Sequence, residues 1–247
     1  SFLLDHVAPL FTVLDDQMLD FPNYANYFDC LQEELAHLEK SQQCDPEHGR
    51  TFKLLQSIEE LDEDKLNLIL AIEGGHNLEN FNTGLLDNLR RLKQGPHRFL
   101  YLTLVHMTQY PLATHAYGMK LIKKNDQFKP AGFGLTDLGK EVIDLAYDDR
   151  AGHRILIDIK HLSLVSRVQF YRHRREKRYG DIPILATHMG VTGISRDPRV
   201  ITQQFSRPAV RRDDFVEVHY DRPPGIGAPG TNDATFFNPW SINLYDE

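Results

Sequence analysis

Four polar residues each stand at the end of a short apolar run. Glu73 follows the run 66–72, and His106 follows 99–105. His161 comes two residues after 155–159, and His188 two residues after 182–186. A zinc ion takes imidazole nitrogen at about 2.0–2.1 Å and carboxylate oxygen at about 2.0–2.2 Å. One carboxylate and two imidazoles from three strand ends make an open metal site with room for water, whose proton such a site releases near neutral pH. A carboxylate has two oxygens, so Glu73 can also bridge two metals roughly 3.5–4 Å apart. Taken singly, each residue has a plainer reading. A strand-end Glu is a solvated loop residue or a helix cap, and a lone His is a hydrogen-bonded structural residue. Gly74-Gly75 shifts the balance for Glu73, because two glycines let backbone approach a carboxylate closely. The shared placement of four such residues at four consecutive strand ends is harder to dismiss than any one of them.

The elements that must position them read as strand, loop and helix, four times over. The runs ending at Glu73, His106, His161 and His188 have the continuous apolar character of buried parallel strands. Between them, 82–94, 136–148 and 163–178 read as helices, with Thr136 or Asp137 near the start of one and Ser163 at the start of another. Upstream, residues 24–66 look helical. Tyr27, Leu31, Leu35 and Leu38 recur at helical spacing, and a second helical stretch is predicted near Arg50 to Leu61. Residues 107–133 read as a long polar loop. This alternation argues for a parallel α/β fold. A (β/α) barrel places all its strand ends on one face, where active sites are built. A doubly wound sheet also gathers them on one edge.

The segments that carry these residues resemble those of membrane (renal) dipeptidases. Ala71-Ile72-Glu73-Gly74-Gly75-His76 is similar to the family's EGGHS segment, and Tyr101-Leu102-Thr103-Leu104-Val105-His106 to YLTLTH. Gly134-Leu135-Thr136-Asp137-Leu138-Gly139 is similar to GLT-x-x-G, Leu156 to Ser163 to LIDLAHVS, and Pro183 to His188 to PVIFSHS. The five motifs keep the family's order over roughly residues 66–200.

The resemblance implies a (β/α)8 TIM-like barrel of the amidohydrolase type, two zinc ions per complete site, and hydrolysis of dipeptides or related small amides. By matched position it implies Glu73 as a bridging carboxylate, with His161 and His188 on the second zinc. It places His106 over the substrate, where it stabilises the tetrahedral intermediate. It puts Arg199, or alternatively Arg196, on the substrate carboxylate. His76 and Asp158 are candidates for supporting the ligands from behind. The family's first strand carries a His-x-Asp pair for the first zinc; here Asp5-His6-Val7 has the wrong order. This chain thus carries ligands for one zinc (Glu73, His161 and His188), and the expectation is a single barrel domain, 1–247, lacking its first and last strands.

The 247 residues, 41 % of them hydrophobic, suffice for a sizeable core. With 28 basic and 35 acidic residues the net charge is −7, which gives no electrostatic reason to expect nucleic acid. The basic run from Arg172 to Arg178 reads as a solvated helix face. His37, His48, His97, His173 and His219 are assigned to the surface. Two cysteines, Cys30 and Cys44, do not make a disulfide framework and read as free thiols. No apolar run approaches a membrane span, and the first residues do not read as a signal peptide, so the compartment stays open. The last residues, with Ser241 as an N-cap, read as the start of a new helix. Unpaired sheet edges in such a fragment predict aggregation or a homodimer. Two rival readings stand beside a small peptide-like substrate. One is a non-catalytic, barrel-derived binding protein; the other is lactone or phosphoester cleavage on the same metal frame.

Overall fold

The computed structural model describes residues 26–43, 52–80, 82–116, 130 and 134–195, and short stretches at 210–212, 215–217, 219–220, 234–235 and 242–246. At its centre is a three-stranded parallel sheet of β3 (Leu70–Glu73), β4 (Phe99–Thr103) and β5 (Leu156–Asp158), in that spatial order. Before it lie β1 (Phe52–Leu54) and β2 (Leu66–Leu68), also a parallel pair. Beyond β5, a parallel bridge joins Asp158 to Leu185. Its hydrogen bonds are Ile159 N to Leu185 O, 2.9 Å, and Leu185 N to Ile157 O, 3.3 Å. From β3 through β4 and β5 to the bridge at Leu185, neighbours in the sheet follow chain order. Among the described residues the sheet does not close into a barrel.

Helices α1 (Tyr27–Gln43), α2 (Leu85–Gln94), α3 (Asp137–Tyr147) and α4 (Leu164–Glu176) complete this part of the chain. Residues paired across parallel strands point to the same side, so Ile72, Leu102 and Ile157 form one row, at most 2 % exposed. They share a core with Leu89 and Leu92 of α2 and Val142, Ile143 and Ala146 of α3. Each of the leucine, isoleucine and valine side chains contributes about 1.5–3 kcal/mol on burial. The next row, Glu73, Thr103 and Asp158, points to the opposite side, toward the site.

Local signals set the helix starts. Thr136 caps α3 by accepting from Gly139 N at 3.0 Å, and Ser163 caps α4 by accepting from Ser166 N at 3.3 Å. A Cβ on Gly139 would lie 2.1 Å from the Leu112 carbonyl, so only glycine lets the first turn of α3 rest on that backbone.

Several expectations need correction. The stretch 24–66 is not helical throughout: α1 ends at Gln43, and the helix expected near Arg50 to Leu61 is β1 followed by a 3-10 turn, Ile58–Glu60. Pairing of Phe52–Leu54 with Leu66–Leu68 outweighs the helix-forming glutamates nearby. The run 66–72 is broken at Ile69 into β2 and β3. The fourth strand is reduced to the single bridge at Leu185. Near the end, Leu244–Asp246 forms a strand in parallel with Val191–Ser195, where the local pattern predicts a helix; cross-strand pairing prevails over the cap signal. Ser241 lies outside the described residues. His173 is buried, with Nε2 2.7 Å from Asp144 Oδ1, and Arg174 is buried against the Tyr147 hydroxyl, so this part of the basic run faces α3 and not solvent. Cys30 is a free thiol, and Cys44 lies outside the described residues. No helix among the described residues is long and apolar enough to cross a membrane.

Candidate metal centre

Three imidazoles converge on one carboxylate oxygen. Glu73 Oε1 lies 3.2 Å from His161 Nε2, 3.4 Å from His188 Nε2 and 3.5 Å from His106 Nε2. The most compact group is Glu73, His106 and His161, whose potential ligand atoms all fall within 4.8 Å of one another. The His106 and His161 rings meet edge to face at 4.4 Å, and the His161 and His188 rings at 5.5 Å.

Burial grades across the cluster. His161 is 5 % exposed, His106 29 %, Glu73 49 % and His188 56 %. Burial pushes the His161 imidazole down to about 4, helped by the nearby His106 and opposed by Glu73. Burial also lowers His106, again opposed by Glu73. Both rings are therefore neutral at neutral pH and offer a lone pair, as a metal ligand must.

Backbone geometry aims these groups. Gly74 has φ +110°, a conformation L side chains rarely adopt, and turns the chain directly after Glu73. Gly75 N then donates to Leu104 O at 3.2 Å, tying the loop after β3 to the end of β4. His161 has φ +66°, a left-handed conformation that costs a non-glycine residue roughly 1–3 kcal/mol. The segment 112–116 holds it there. Ala116 N donates to His161 O at 2.6 Å, and Ser163 N and Ser166 Oγ donate to Thr114 O at 3.0 and 2.8 Å.

His76 sits apart from this convergence. Its ring packs edge-on against Tyr27 and Tyr110, and burial pushes it down to about 4 with a further contribution from His106. Asp158 is fully buried behind the cluster and grips Thr187, the neighbour of His188. Arg196 and Arg199 lie outside the described residues.

Two contributors escaped the sequence reading. Lys160 is 5 % exposed, and its Nζ donates to the His188 carbonyl; Thr187 Oγ1 lies 2.9 Å from His188 Nδ1. The available signal was adjacency, since each immediately precedes one of the histidines.

The membrane dipeptidase family, peptidase family M19, matches residues 10–218 of the 247. The chain belongs to this family. Membership brings a dipeptidase-type hydrolase into view and supports hydrolase activity in general. The site of this membrane dipeptidase family member includes a triad, Glu73, His106 and His161, able to hold a metal ion. No curated protein matches the chain.

Proposed function

We propose that the chain is a zinc-dependent hydrolase of dipeptides or related small amides, with Glu73, His161 and His188 holding one zinc ion. The observation that carries this reading is the convergence of three imidazole Nε2 atoms on one oxygen of Glu73. The donor set fits the metal. The two proposed ligand rings, His161 and His188, when neutral and turned to the carboxylate oxygen by their lone pairs, repel it until a cation lies between them. When bound, zinc polarises a carbonyl and lowers the pKa of water.

The chain's own groups divide the remaining work. Glu73 presents Oε1 to the imidazoles, which leaves Oε2 to take a proton from the attacking water. His106, half-buried at the edge of the cluster, directs Nε2–H at the oxyanion that develops on the scissile carbonyl. Arg199, or Arg196, holds the substrate carboxylate by a planar two-donor fork. The supporting architecture is a (β/α)8 barrel in a single domain, consistent with consecutive parallel strands in chain order.

One observation favours a second ligand set. His106 is in the compact triad with Glu73 and His161, and His188 is the more exposed ring. In that arrangement His106 is the ligand and His188 faces the substrate.

Elemental analysis of the purified chain, beside Glu73→Ala and with a panel of dipeptides, tests the proposal. About one zinc per chain, lost together with hydrolysis in the variant, supports it. A folded chain without metal or hydrolysis points to the non-catalytic binding protein. Zinc with cleavage of lactones or phosphoesters only points to another chemistry on the same frame.

A further inference from the structure

The Thr187 hydroxyl touches both Asp158 and His188, and it has one hydrogen to give. Asp158 Oδ1 accepts from Lys160 N at 3.0 Å and Thr187 N at 3.2 Å, while Oδ2 meets Thr187 Oγ1 at 2.5 Å. An ionised carboxylate only accepts, so the hydroxyl hydrogen belongs to this contact. Toward His188 Nδ1, 2.9 Å away, Oγ1 then has only lone pairs, and Nδ1 must supply the hydrogen. We infer that Thr187 is a positioning residue that fixes His188 as its Nδ1–H tautomer and so leaves the lone pair on Nε2, the atom facing Glu73, free for a metal ion. This rests on the metal-hydrolase reading above.

The arrangement answers a need specific to His188. His161 is held by burial and by its backbone. His188 is 56 % exposed, so water competes for its ring nitrogens. A hydrogen-bond partner on one nitrogen selects which nitrogen is left to bind metal. Lys160 Nζ, donating to the His188 carbonyl, holds the backbone of the same residue. Asp158 thus acts on His188 through Thr187.

Nitrogen-15 spectra of the histidine side chains, recorded on the full metal-free chain at pH 8, test the assignment. This pH is above the ordinary imidazole value of about 6.5. The expected spectrum has His188 protonated at Nδ1 and bare at Nε2, in the wild type and in Thr187→Ser. Thr187→Val, of similar shape but without the hydroxyl, loses this preference and binds zinc about 10–100-fold more weakly against a chromophoric chelator. A wild-type His188 protonated at Nε2 overturns the assignment whatever zinc does, and so does a Thr187→Val chain that binds zinc as tightly as wild type. A wild-type chain with the Nδ1–H tautomer that binds no zinc upholds the hydrogen-bond assignment and overturns the metal-centre reading instead. If Thr187→Val does not fold, the wild-type spectrum and the serine variant decide.

Discussion

His161 and His188 reach the same Glu73 oxygen at 3.2 and 3.4 Å, yet different physics holds each of them. His161 is embedded. Its ring is 5 % exposed, its backbone is forced to φ +66°, and burial keeps it neutral. His188 is exposed and is placed by polar contacts to Thr187 and Lys160. One side of the site is therefore fixed by packing and desolvation, and the other by a hydrogen-bond chain. Packing tolerates little change, because a core responds to the loss of even a methylene. A hydrogen-bond chain can be edited one donor at a time, so the two sides should fail in different ways.

The largest effect is expected on the embedded side. His161→Ala and Glu73→Ala should each abolish zinc binding, by more than the roughly 100-fold that losing an outer partner costs, and dipeptide hydrolysis with it. Calorimetric titration with zinc beside a turnover assay checks both. A His161→Ala chain that keeps its metal would break the comparison outright, since the buried ring would then be only a core residue. Second in size is the contrast between His106 and His188. If His188 is the ligand, His188→Ala loses zinc affinity, whereas His106→Ala keeps its zinc and loses roughly 10²–10³-fold in kcat as a missing oxyanion donor. The reverse pattern moves the ligand set to the compact triad.

A third expectation concerns the backbone of the embedded side. Gly74→Ala must place a Cβ 2.3 Å from His76 Cε1 at φ +110°. The ring cannot swing away freely, because it is packed edge-on between Tyr27 and Tyr110. The expected cost is about 2–4 kcal/mol in urea unfolding, from strain and overpacking combined. A loss below about 0.5 kcal/mol, the size usual for surface substitutions, would mean that the loop after β3 relaxes and that the embedded side is softer than its burial suggests.

The embedded half was the more legible in the sequence, for a physical reason. Residues 70–72, 99–105 and 155–159 are largely apolar runs, so the segments leading to Glu73, His106 and His161 are visible in local pattern, whereas the break at Ile69 is not. The caps at Thr136 and Ser163 are equally local, since the capping hydroxyl and the amide it satisfies lie three residues apart. The polar chain around His188 depends on where segment 182–188 crosses β5. Asp158 and Thr187 are 29 residues apart, and nothing in the neighbourhood of either predicts that they meet. The same non-locality hid β1, whose three residues become a strand only against β2, and the strand Leu244–Asp246, which exists through its pairing with Val191–Ser195. His173 was misplaced because its charged neighbours suggested solvent, whereas Asp144 on α3 draws it inward.

Desolvation also acts where no metal is in question, and this gives the smallest and cleanest check on the embedded side. Lys93, on α2, is 1 % exposed, and its Nζ donates to the carbonyls of Ala146 and His153 at 2.9 and 2.8 Å. Burial pushes its ammonium down to about 8 from the ordinary 10.5, opposed mainly by Asp148. A folded-state value below the unfolded one means that the unfolded chain binds more protons between these two pH values, so stability attributable to Lys93 rises with pH across that interval. Below pH 8 both states are charged and the folded chain bears the whole cost of burying the cation. Above about 10.5 both are neutral and that cost is gone. Urea unfolding of the wild type and Lys93→Met at pH 7, 8.5 and 10 should show the difference between them shifting toward the wild type as pH rises, by on the order of 1–2 kcal/mol. A difference that stays flat with pH would show that the two carbonyls fully compensate the charge. Desolvation would then be a weaker force in this core than the neutral state of His161 requires, and the hydrogen-bond chain around His188 would become the better guide to how the whole site is held.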